Sequence, residues 1–127
     1  MKQNQKKKVL VVEDEQPLQS ALFEVLHSDN IQVIQAFNGE EGLEKAKKEH
    51  PDLILLDIIM PKLGGVKMLQ ELRKDAWGKN AQVIILTNLN VKEKVVEAAQ
   101  ENVYDFFIKS DWDIEEIGEK VKDKLFS

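Results

Sequence analysis

The sequence predicts an α/β domain: a doubly wound, five-stranded parallel sheet with helices on both faces. Three observations predict it. Short apolar runs alternate with segments of helical periodicity in a βα unit repeated five times. The run Leu53–Leu56 is unbroken, too short for a typical helix and preceded by Pro51, which suits a strand buried on both faces. The apolar runs also stop on polar residues, namely Glu13 and Asp14, Asp57, Thr87 and Lys109, and in a parallel sheet those ends share the rim where open α/β sheets bind ligands.

The elements follow in order. Val9–Val12 is the first strand, ending at Glu13, Asp14 and Glu15. Pro17 suits the first turn of the helix after it, and Leu18, Ala21, Leu22, Val25 and Leu26 line one face. Glu15 reads as an acid placed for that helix's dipole, and His27 as a surface residue at the helix's far end. Ile31–Phe37 is the second strand. Asn38 with Glu41 resembles a capping box for a helix running to about Glu49, whose thin apolar content (Leu43, Ala46) predicts the weakest anchorage of the set.

After the central strand, Val66, Leu69 and Leu72 mark a third helix, and Gln82–Thr87 makes the fourth strand. Val91, Val95, Ala98 and Ala99 suggest a fourth helix, and Asp105–Ile108 the fifth strand. Asp113 with Glu116 caps a last helix carrying Ile114, Ile117, Val121 and Leu125. Right-handed crossovers join the parallel strands. Met60, Met68, Trp77 and His50 fit packing or loop roles, and Trp112 covers the start of the last helix.

Composition limits the function classes. A length of 127 residues, 43% hydrophobic and 32% charged, fits one domain with its own core. Residues 1–7 read as a basic, solvated leader and 8–127 as the domain. The net charge is −5, but Lys2, Lys6, Lys7 and Lys8 sit in the first eight residues, leaving 14 basic against 23 acidic residues in the other 119. An acidic body argues against direct nucleic-acid binding. No apolar window reaches membrane-spanning length, and the lysines lead into a strand, not a signal-peptide core, so a cytoplasmic place with no membrane partner is expected. With no cysteine, disulfides and thiolate metal sites are excluded.

At the predicted rim, acids, a hydroxyl and an amine converge. Clustered carboxylates repel unless a cation neutralises them, and oxygen ligands without His or Cys favour Mg²⁺. Mg²⁺, Lys109 and Thr87 together suit a phosphoryl group, since metal and ammonium balance its charge and the hydroxyl donates to an oxygen. Asp57, in the middle, is then a candidate phosphoryl acceptor.

Taken together, Glu13–Asp14, Asp57, Thr87 and Lys109, with Asp57–Pro61 reading DIIMP and Gly65 beyond it, resemble a response-regulator receiver domain of two-component signalling, of the single-domain chemotaxis protein Y type. The resemblance runs from about Lys8 to the end and implies a flavodoxin-like (βα)5 fold. It implies that Asp57 takes a phosphoryl group from the phosphohistidine of a sensor histidine kinase or phosphotransfer protein. It further implies that Asp14, Asp57 and the Ile59 carbonyl ligate Mg²⁺, with Glu13 acting through water. Thr87 and Lys109 would hold the phosphoryl oxygens, with Phe106 as the switch aromatic beside Thr87. The chain would catalyse only its own phosphorylation and dephosphorylation, and its output would pass to a downstream protein through a face that includes Lys92, Val95, Tyr104 and Phe107.

Three positions depart from the family's pattern. Ser110 stands where proline usually follows the lysine, and a cis bond without proline costs about 2.5–4 kcal/mol, so a trans Lys109–Ser110 bond is expected. Asn88 replaces a small residue and narrows the entrance, and Phe106 replaces a frequent tyrosine. Ile59 and Leu89 flank the approach of water and cannot orient it, which predicts a long-lived phosphorylated state. Ile59 also replaces the second acid of a haloacid-dehalogenase-type phosphatase, and neither a G-x-G-x-x-G nor a P-loop supports nucleotide binding. A folded pseudo-receiver that binds partners without phosphate is the remaining competitor, and intact Asp57 and Lys109 argue against it.

Overall fold

Apolar runs flanked by amphipathic segments leave few ways to bury both kinds of surface, and the chain takes the expected one. A computed structural model describes residues 6–60, 62–87, 92–103 and 105–127, with backbone alone at 92–95. Lys2, Pro61, Asn88, Leu89, Val91 and Tyr104 therefore lie outside the described residues, as do the side chains of Lys92 and Val95. The elements are β1 (Lys7–Val12), α1 (Gln16–Leu26), β2 (Ile31–Ala36), α2 (Gly39–Glu49), β3 (Leu53–Asp57), α3 (Gly65–Arg73), β4 (Val83–Thr87), α4 (Lys92–Ala99), β5 (Asp105–Ile108) and α5 (Ile114–Phe126). All strand pairs are parallel, in the order β2-β1-β3-β4-β5.

The strand alternation divides the core. Val9, Val11, Leu53, Leu55, Ile84, Leu86 and Phe107 face one way, onto Leu22 and Leu26 of α1 and Ile117, Val121 and Leu125 of α5. Leu10, Val12, Ile54, Leu56, Val83 and Ile85 face the other, onto Ala46 of α2, Met68, Leu69 and Leu72 of α3, and Ala98 of α4. Burial on both faces explains why β3 and β4 read as continuous apolar runs.

Several local expectations change in detail. β1 begins at Lys7, two residues before its apolar run, because Lys7 and Lys8 pair with Ile31 and Gln32 of β2. Asn38 caps α2 by accepting from Glu41 N at 2.8 Å, but Glu41 Oε1 accepts from Phe37 N, not from Asn38 N, so the capping box is only half formed. The thin apolar face of α2 is seated by close approach: a Cβ on Gly42 would lie 2.9 Å from both Val12 methyls. Asp113 and Glu116 of α5 form the full reciprocal box. Phe107, expected on the partner-facing surface, is 7% exposed and packs edge-on against Trp112 under α5, since it falls on the inward side of β5. A single 3₁₀ turn at Gly78–Asn80 had no periodicity to announce it. Among the described residues no helix is long and apolar enough to cross a membrane, and no peptide bond is cis, so Lys109–Ser110 is trans.

Candidate functional site

Three strands deliver charge to the C-terminal rim of the sheet. Glu13 extends the β1–β2 ladder through its N–H to Ala36 O, and Lys109 extends the β4–β5 ladder through its N–H to Thr87 O. Asp57 closes β3, flanked by β1 and β4. By strand alternation Glu13, Asp57 and Lys109 continue the side of the sheet that faces α1 and α5. Thr87 and Phe106 continue the opposite side, where Phe106 packs against the α2–α4 core. In register Phe106 is paired with Ile85 and Ile108 with Thr87, so the two proposed switch residues sit on neighbouring strands, two positions apart.

Lys109 is the centre of the charge arrangement. Its Nζ lies 3.3 Å from Asp57 Oδ2, 3.2 Å from Glu13 Oε1 and 3.5 Å from Glu15 Oε1. Asp57 Oδ1 accepts from Ile59 N at 3.2 Å, and Glu13 Oε2 from Glu15 N at 3.0 Å. Glu13 and Asp57 are 1% and 4% exposed, and Thr87 is 1% exposed, whereas Asp14 is open to solvent. Gly65 lets α3 start tight against the acceptor strand, because a Cβ there would collide with the Asp57 carbonyl oxygen and Ile58 Cα.

One amine cannot satisfy this many carboxylates. Burial pushes Glu13 up to about 7, against the hydrogen bond from Glu15 N and with repulsion from Asp57 adding to it. Burial raises Asp57 as well, and the offset from Lys109 and the Ile59 N–H is incomplete. For Lys109, burial alone would favour the neutral amine, but Asp57 and Glu13 outweigh it and hold the group above its ordinary value.

Oxygens of Glu13, Asp14 and Asp57 come within 4.8 Å of one another. Glu13 Oε1 is buried and, although near Lys109, receives no hydrogen bond. A hard divalent cation fits this set: all ligands are oxygen, one is ion-paired to Lys109 but receives no hydrogen bond, and two of the acids are raised by burial.

Glu13, Asp14, Asp57, Thr87 and Lys109 stand at one rim, where the ends of the apolar runs put them, but Glu15 differs from its expected helix-dipole role. Glu15 is the N-cap of α1, makes no side-chain cap bond, and turns its carboxylate toward Lys109. Gln19, a fully buried amide behind the acid pair, went unnoticed in the sequence. The signal was present: Gln19 stands with Leu22 and Leu26 on the buried stripe of α1, where a polar residue needs a reason.

A profile of the response regulator receiver domain family matches residues 9–122. The chain is 33% identical over 118 residues to sporulation initiation phosphotransferase F of Bacillus subtilis, covering 93% of each protein. It is 45% identical over 87 residues to a probable transcriptional regulator ycf27 of Pyropia yezoensis, covering 68% of this chain but 35% of that protein. Against several such regulators the chain thus spans about a third to two fifths of their length. The fold superimposes on chemotaxis protein CheY4 of Vibrio cholerae with a TM-score of 0.83 at 25% identity, over 94% of this chain and 99% of that one.

Proposed function

The chain belongs to the response regulator receiver domain family of two-component signalling, and on that premise we propose that Asp57 accepts a phosphoryl group from a phosphohistidine and that the acyl phosphate resets a partner-binding face. One observation carries the reading: a nearly buried carboxylate at the end of the central strand has an ammonium 3.3 Å away and two further acids beside it. In the transfer, an Asp57 oxygen bonds to phosphorus, the P–N bond breaks, and the imidazole leaves with its electron pair and takes up a proton. Lys109 already faces Asp57 Oδ2 and would follow the charge onto a phosphoryl oxygen. Glu13, Asp14 and Asp57, with the Ile59 carbonyl, are the groups that would hold Mg²⁺. That cation would supply charge neutralisation between the acids and the incoming phosphoryl group.

Thr87, next to Asp57's strand, would turn its hydroxyl toward a phosphoryl oxygen, and Phe106 would repack into the space released. The surface beside Phe106 supports such an output, with a cavity of about 460 Å³ lined in part by Phe106, Phe107, Trp112 and Lys120. A partner that prefers the repacked face shifts the equilibrium only through that preference. Sensor kinase, phosphotransfer protein and downstream target would meet the domain in the cytoplasm.

Acetyl phosphate with Mg²⁺ should add the mass of one phosphoryl group to the parent and none to Asp57→Asn. Equal labelling of that variant, or labelling that persists in excess chelator, would defeat the assignment. Thr87→Ala should still be labelled but lose most of the phosphate-dependent change in amide exchange around β5 and α5. An exchange response equal to the parent's would break the Thr87–Phe106 coupling while leaving Asp57 as acceptor.

A further inference from the structure

Behind the acid pair, α1 sends a side chain back to the strand it has just left. Gln19 is 0% exposed, and its Nε2 lies 3.2 Å from Val11 O, 3.1 Å from Glu13 O and 2.9 Å from Ala36 O. Ala36 O also accepts from Glu13 N, and Gln19 N donates to Glu15 O at 2.9 Å. Backbone on both sides of the Asp14 peptide is therefore tied to one residue of α1. We propose that Gln19 is a positioning residue for the cation-binding loop: by fixing the Glu13 carbonyl it sets the direction in which Glu13 and Asp14 present their carboxylates. The inference rests on the metal role proposed above for that pair.

The chemistry of the amide argues for this over plain packing. A primary amide has two hydrogens for three carbonyls, and Gln19 Oε1 has no hydrogen-bond partner. Leucine, as at Leu22 and Leu26 on the same stripe, would fill the position without burying an unpaired acceptor. What leucine cannot do is hold the carbonyl of Glu13. Small octahedral cations tolerate little error in ligand placement, and groups that orient the ligands typically change affinity by about 10–100-fold when removed.

The test uses Mg²⁺ alone as probe, on the full chain, followed by calorimetric titration and by the rise in melting temperature that Mg²⁺ produces. Gln19→Met keeps the length and removes the donors. It should weaken Mg²⁺ binding by about tenfold or more and shrink the Mg²⁺-dependent rise. Gln19→Lys offers three donors and no orphan acceptor, and should restore binding to within about threefold of the parent. A purely structural residue would lower the melting temperature equally with and without Mg²⁺, and that result overturns the proposal. So does parental Mg²⁺ affinity in Gln19→Met, or equal weakening in both variants. If Gln19→Met does not fold, Gln19→Asn, whose shorter reach parts the amide from the carbonyls, takes its place with the same expected loss, and parental affinity in it is equally fatal. A parent that binds no Mg²⁺ overturns the metal reading itself and this inference with it.

Discussion

The two rims of the sheet are both rich in polar groups, yet they are built on opposite principles. At the N-terminal rim Arg73, Asp52 and Asp75 each have partners. Arg73 Nε donates to Glu101 O at 2.8 Å, and its Nη1 to Gly78 O and Ala81 O at 2.7 and 2.8 Å. Asp52 accepts from Lys8 N, and Asp75 accepts from Trp77 N and Gly78 N. At the C-terminal rim one lysine serves three carboxylates, two of them buried and raised, and a Glu13 oxygen has no hydrogen bond. Matched polar groups hold a fold together, whereas unmatched ones cost stability and persist where something from outside completes them. The contrast predicts that changes at the two rims separate stability from function.

The largest expected effect lies at the matched rim. Arg73→Met removes the guanidinium from three carbonyls, of which Gly78 O keeps Ala81 N, and should destabilise the protein by about 2–4 kcal/mol in a urea melt. Labelling by acetyl phosphate should survive in the fraction that remains folded. Loss of labelling with unchanged stability would erase the distinction.

At the unmatched rim the sign reverses. Glu13 binds its proton more tightly folded, at about 7, than unfolded, near 4.5. Below the unfolded value the group makes no difference. As pH rises from 4.5 to 7 the unfolded chain ionises first, so the metal-free protein should lose stability across that window and lose no more from this group above it. Melting curves of the metal-free parent should show the decline, and Glu13→Gln should flatten it. A variant with the parent's pH slope would mean that the burial of Glu13 is not what strains this rim.

How much of this was legible in the sequence depended on whether the cause was local. Asp57, Thr87 and Lys109 were found because each ends an apolar run, and β5 was found to the residue at Asp105–Ile108. The Asp113–Glu116 box was equally readable, both partners lying within one turn. Arg73 and Gln19 were not, because their partners are backbone carbonyls, and a carbonyl has no sequence signature. Arg73 reaches Glu101, 28 positions on, and Gln19 reaches Ala36, 17 on. Glu15 was misread for a different reason: its partner Lys109 is a side chain, but one 94 residues away.

The smallest expected effect concerns the lifetime of the phosphorylated state. Ile59 is 46% exposed beside Asp57 and offers water nothing but its backbone. Ile59→Asn should speed loss of the phosphoryl group, by much less than the roughly hundredfold that a full general base contributes. Time courses of intact mass after removal of the donor would measure it. A half-life equal to or longer than the parent's would show that this side chain does not govern access.

The charges of this rim do not come from equally anchored strands. Glu13 and Asp57 follow β1 and β3, which pair directly with each other inside the sheet, while the amine that offsets them stands 52 residues beyond Asp57, just past the edge strand β5, which pairs with β4 alone. Local opening at that edge would carry the ammonium away and leave the two acids facing each other without it.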